Sequence, residues 1–442
     1  MSRQLPWWRV GLPVLAGALL TATAWTGSVV QAHTKTTLTV WAFGGVNPEH
    51  VWEAKQVAAW NRSHPDLEVT WINQNWNGKR EKLITAFESH QLPDIALLDS
   101  ASAADLATIG AIRPLNKIDP GMVAKWKPLY VPAVWNASIF NRQLYSVPIG
   151  YVDLAPMLSY RSDLIHKAPS SWSQLLSLAN RLKKEHPGLV PFYFGGQNET
   201  NDIVMFEGLM YQNGGRWISP QGKVVINGPG GVGALKLLVD LTRAGDVEKD
   251  PVATNYWPAT EAFLQGKSAM AMTMSWVRAI ESSVTGVKIS GKYHVTEFPM
   301  PSHPQGSYVP SPIIIQPTLN AMVTTQSTHV AQDMEFINYM VGRSFEKGWW
   351  GNPIVGRVPA QKAAWTHKAV AREYPDLVKL YQKGLLFRNA LTTPTFAGIT
   401  QMENILGREI EAALLGRVSP QQALNIVEQK SIPIYAAYHK KH

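Results

Sequence analysis

Cysteine is missing altogether from the 442 residues. Its absence excludes disulfides, thiolate metal sites and cysteine nucleophiles, and with them a lipidated cysteine of the kind that anchors a lipoprotein. The 12 histidines form no His-x-His and no H-E-x-x-H, so nothing calls for a metal. There is no G-x-S-x-G elbow to raise a serine nucleophile, nothing marks a carboxylate pair for glycoside hydrolysis, and no cofactor is implied. A long membrane-spanning run is lacking too. "VGLPVLAGALLTATAW" (Val10–Trp25) falls short of the roughly 20 residues a span needs and is broken by Pro13. With Arg3 and Arg9 before it and "SVVQA" after it, it reads as a secretory signal cut after Ala32, which predicts a periplasmic protein. The formal charge of +9 is scattered, with one small cluster in "YHKKH"; a nucleic-acid groove would concentrate it, so nucleic acid is not an expected partner.

Two stretches imitate phosphate loops. "EAFLQGKSAMAMTMSW" (Glu261–Trp276) contains Gly-Lys-Ser, but Glu261 stands where a Walker loop needs glycine. The order is also reversed: a helix comes first, Gly266 ends it, and an extended segment follows. "GPGGVG" (Gly228–Gly233) spells G-x-G-x-x-G, yet no second strand ending in an acidic residue follows about 20 residues on. It is expected to be a turn that opens a helix.

What is present is an alternating pattern. "TLTVWAF" (Thr37–Phe43), "LEVTWINQN" (Leu67–Asn75) and "DIALLDS" (Asp94–Ser100) read as strands, with helices over 48–64 and "GKREKLITAFESH" between them. That order predicts a parallel sheet with ligand bound beyond its carboxyl ends. The pattern restarts near residue 150, with a helix in "PSSWSQLLSLANRLKKEH", a strand in "LVPFYF" and a late strand-like stretch "SPIIIQPTLNAMV". Aromatic residues are the remaining signal. Of 17 Trp, Trp76, Trp257, Trp276, Trp349 and Trp350 fall in expected loops, whereas Trp41 and Trp60 read as core. Exposed indoles beside Asp, Asn, Gln and Arg suit sugar rings, which offer C–H faces to aromatic planes and hydroxyls to polar edges.

Taken in order, several segments resemble the extracellular solute-binding proteins of ABC importers, in the maltose-binding and glycerol-3-phosphate-binding group. They are "HQLPDIALLD", "RQLYSVPIGYVDLAPMLSYRSDL", "APSSWSQLLSLANRLK", "AFLQGKSAMAMTMSW", "GRVPAQKAAW" and "GRVSPQQALNIV". The resemblance implies an α/β type II fold of two lobes joined by crossover hinge strands around a ligand cleft. It divides the chain into a signal (1–32), one lobe from 33–152 and 302–345, and another from 153–301 and 346–442. It also implies no catalysis, capture of a carbohydrate by hinge closure, and delivery by a monomer to the transmembrane subunits of an ABC permease. Glycerol 3-phosphate or a glycerophosphodiester is the alternative ligand, and a secreted glycan-active enzyme a remote one. Carried over position by position, the family site falls on Trp76, Asp99, Ser100, Tyr151, Asp153, Asn198, Glu199, Trp276, Ser311, Arg357 and Arg388. Trp276 is the expected stacking residue. The two arginines favour phosphate, while Tyr151-Val152-Asp153 in place of a serine-rich crossover favours sugar.

Overall fold

The computed structural model of the chain describes residues 35–45, 47–316, 319–350, 357–392 and 394–439; the expected signal segment lies outside them. The first three strands form as the alternation predicts. Thr36–Phe43 pairs in parallel with Leu67–Gln74 on one side and Ile95–Leu98 on the other. Antiparallel Asn320–Val323 and then Val147–Pro148 complete this five-stranded sheet. Leu38, Val40, Ile95 and Leu97 are fully buried, because crossover helices such as Asn47–Ser63 cover the sheet.

A second sheet of four strands is built from Tyr293–Glu297, Met157–Arg161, Ser268–Thr273 and Val190–Tyr193, in that spatial order. The chain passes from the first sheet to the second through Tyr151–Ala155 and returns through Ile314–Gln316. These two crossings pair with each other antiparallel, Ile315 opposite Leu154 and Gln316 opposite Asp153. Short strands Val358–Pro359 and Leu391–Thr392 flank the pair. The stretch "SPIIIQPTLNAMV", expected as a single strand, therefore holds two with different roles: Ile314–Gln316 crosses between the sheets, and Asn320–Val323 enters the first sheet.

Both glycine decoys resolve as packing features. Gly228 precedes the helix Pro229–Arg243, and Gly230 lies so close to Gly215 that a Cβ would sit 2.3 Å from its backbone nitrogen. The helix Tyr256–Leu264 ends before Gly266, and Ser268–Thr273 follows as a fully buried strand. Trp349 and Trp350 correct the loop expectation: they end the helix Arg343–Trp350 and are buried in the core. Trp41 is only partly buried, at the edge of a smaller core cluster.

Gly150 enters the first crossing with a φ of +84°, and a Cβ there would lie 2.0 Å from Cδ1 of the buried Trp349. Gly150→Ala therefore combines left-handed backbone strain with a clash that a packed indole cannot relieve. The expected cost is about 2 kcal/mol, read as a melting temperature several degrees lower; an unchanged melting temperature contradicts the close packing of Gly150 on Trp349.

Candidate functional site

Two adjoining cavities, of about 280 and 240 Å³, open where the carboxyl ends of the first sheet's parallel strands face the second sheet's side of the molecule. Trp76, Asn77 and Glu199 line both.

The larger cavity is aromatic. Trp276 follows the strand Ser268–Thr273 and lies 5.4 Å from Tyr256 and 6.0 Å from Trp257, centroid to centroid. Asn255 caps the helix Tyr256–Leu264 by accepting from the Trp257 amide, and the Trp257 indole donates to Glu261 Oε1 at 2.8 Å. The Tyr256 hydroxyl accepts from the Met274 amide at 3.3 Å, so both aromatic side chains of that helix start are held in place. Trp76 supplies the opposite wall. Gly44, at φ +84°, brings its backbone close enough that a Cβ would meet the Trp76 ring at 3.0 Å. Tyr151 and Asp153, from the first crossing, form the floor together with Arg357.

The smaller cavity is polar, lined by Lys79, Arg80, Asp99, Asn198, Thr400 and Glu403 among others. Asp99 caps the helix Ser100–Thr108 through the Ser102 amide and pairs with Lys79 at 3.4 Å. Lys79 Nζ also sits 3.9 Å from the centre of the Trp76 ring. Arg80 pairs with the buried Asp105 at 2.6 Å. Asp105 in turn accepts from the Gly398 amide at 3.3 Å and from Thr400 Oγ1 at 3.2 Å. Those two residues begin the helix Ile399–Leu414, which packs on the second sheet's helices, so this contact joins opposite walls of the cleft.

Charge in the cleft is unevenly balanced. Every cation lining the two cavities has a carboxylate partner: Lys79 with Asp99, Arg80 with Asp105, and Arg357 with Glu49 and Asp153. Glu81, Glu199 and Glu403 come in addition. Burial raises Glu199 above the ordinary carboxylate range, and burial together with Glu207 and Asp99 raises Glu403 well above it.

Of the expected site residues, the structure brings Trp76, Asp99, Tyr151, Asp153, Asn198, Glu199, Trp276 and Arg357 to these cavities. Three lie elsewhere. Ser100 is buried in the first turn of its helix and lines neither cavity. Ser311 is fully buried and donates to the Ile313 carbonyl, fixing the approach to the return crossing rather than facing the cleft. Arg388 is exposed and lines neither cavity.

Lys79, Arg80, Asn255, Tyr256, Thr400 and Glu403 line the cavities without having been expected there. "TNYWP" (Thr254–Pro258) carried a signal, an aromatic pair behind an Asn cap. Glu403 carried none, because a carboxylate in an amphipathic helix ordinarily faces water.

The profile of the family described as bacterial extracellular solute-binding protein matches residues 47–344. The arabinooligosaccharide-binding protein of Bacillus subtilis is 23% identical over 363 residues, covering 79% of each chain. An uncharacterized lipoprotein of Streptomyces antibioticus is 28% identical over 145 residues; that match spans 30% of this chain and under a third, 31%, of the relative. Among solved structures, maltose-bound T. maritima MalE3 superposes with a TM-score of 0.77 at 21% identity, covering 89% of this chain and 98% of that one. At that identity the likeness speaks for the fold.

Proposed function

Since the chain belongs to the bacterial extracellular solute-binding protein family, we propose that it captures a neutral oligosaccharide by closing the two sheets' bodies on it, and delivers it as a monomer to an ABC permease. One observation carries the ligand class: an aromatic cavity of Trp76, Tyr256, Trp257 and Trp276 whose single cation, Arg357, is already neutralised by Glu49 and Asp153. Aromatic planes take the C–H faces of a sugar, and Asn201, Asn255 and Glu199 offer its hydroxyls donors and acceptors. A phosphate ligand needs unspent positive charge, and the cations lining the cleft are matched by carboxylates. The names of the relatives agree with this reading, since one binds arabinooligosaccharide and another is solved with maltose. The periplasm is the proposed location, with export by cleavage of the signal expected at residues 1–32.

A thermal-shift screen of neutral oligosaccharides, glycerol 3-phosphate and glycerophosphodiesters tests this. A ligand at 100 times its Kd adds about 2.7 kcal/mol of stability. Oligosaccharides alone are expected to raise the transition; a shift confined to phosphorylated compounds overturns the reading, as does turnover of a bound sugar seen by mass spectrometry.

A further inference from the structure

Arg357 borders the aromatic cavity, yet little of it is free for a ligand. It is 3% exposed. Its Nε donates to Glu49 Oε1 at 2.5 Å and Nη1 donates to Asp153 Oδ1 at 3.2 Å. Its Cζ stands 4.4 Å from the ring centres of both Tyr151 and Trp276. These partners come from different parts of the molecule. Glu49 lies on the helix Asn47–Ser63 behind the first sheet, Tyr151 and Asp153 on the first crossing, and Trp276 at the end of a second-sheet strand. Arg357 itself precedes Val358, which pairs with Val152 of the same crossing.

We propose that Arg357 is a positioning residue that couples stacking on Trp276 to closure of the cleft, and not a ligand for an anion. This rests on the reading of the protein as a closing oligosaccharide binder. A guanidinium is planar, so against two aromatic faces it fixes their planes as well as balancing charge. An indole covered on one face by that plane offers only the other to a sugar. Opening the cleft moves the body carrying Glu49 away from the body carrying Trp276, and one guanidinium cannot follow both. The full set of contacts belongs to the closed form, and a ligand that presses Trp276 into place favours that form.

Arg357→Lys tests the coupling, since it keeps a charge for Glu49 and Asp153 but loses the planar fork. The chain has no cysteine, so Glu88→Cys and Gln401→Cys place a spin-label pair cleanly on opposite sides of the cleft. In the ligand-free protein, Arg357→Lys is expected to shift the label distances longer and broaden them. Affinity for the best binder among maltotriose, xylotriose and arabinotriose is expected to fall at least tenfold. Adding Arg357→Lys to Trp276→Ala is expected to cost little more than Trp276→Ala alone, because the two act through one contact. Unchanged distances, or losses that simply add, overturn the proposal. Should Arg357→Lys fail to fold, Glu49→Gln cuts the same tie on the first body with the same expectations. If no sugar binds the wild type, the oligosaccharide reading fails alone, and the ligand-free distances still decide the coupling.

Discussion

Trp276→Ala is expected to lower oligosaccharide affinity about 100-fold, close to 2.7 kcal/mol. The change removes a ring that lines the aromatic cavity and touches Tyr256, Trp257 and Arg357. Truncating a central aromatic anchor at a binding surface typically costs 2–4 kcal/mol, and the loss here has two sources. The ligand forfeits its stacking plane, and the guanidinium loses one of its two aromatic faces. Stability is expected to change far less than affinity, because Trp276 is only partly buried. Isothermal titration with the best-binding sugar separates the two effects. Full affinity in Trp276→Ala removes this residue from the site. A matched control is Trp76→Ala on the opposite wall, for which a loss of about tenfold is expected.

How legible was this site beforehand? Strands and helices around it were, because alternation and helical spacing record which faces are buried, as in Thr36–Phe43 and Trp172–Glu185. Trp276 was placed by the resemblance of "AFLQGKSAMAMTMSW" to a family segment, and it lines the aromatic cavity. The charges were not. Arg357 was expected at the site and weighed toward phosphate, since a sequence shows an arginine but not the Glu49 and Asp153 that neutralise it from 308 and 204 residues away. Ser311 failed for a related reason: its role is a local hydrogen bond to Ile313, which no pattern distinguishes from a cleft-facing hydroxyl. Trp349 and Trp350 were read as loop, but Gly348 before them lies inside a helix. That glycine instead lets the Trp52 indole pack against the helix, where a Cβ would stand 1.7 Å from Cε2.

The protein is expected to lose stability as pH rises from about 5 to about 8, and Glu53 is the group to follow. It is 3% exposed, on the helix that also carries Glu49, and one of its oxygens has no hydrogen-bond partner. Burial, helped by the charge of Glu49, pushes its carboxyl up to about 8, against opposing contributions from Trp71 and Arg357. The sign follows directly. The folded state holds a proton that the unfolded chain releases near its ordinary value of 4.5. Stability is thus fully present below that value and is lost as pH climbs through the folded one. Each pKa unit corresponds to about 1.4 kcal/mol, so Glu53 alone makes a loss on the order of 3 kcal/mol reasonable once relaxation of the site is allowed for. Glu207, raised by burial, acts in the same direction, as do Glu297 and Asp333, each pushed up to about 7 by burial. Glu53→Gln mimics the protonated side chain. Its unfolding free energy from denaturant titration should match the wild type near pH 5 and exceed it by about 2 kcal/mol near pH 8. Parallel stability curves for the two proteins would show that Glu53 is ionised in the folded state, adding one negative charge to the acidic cluster around Arg357.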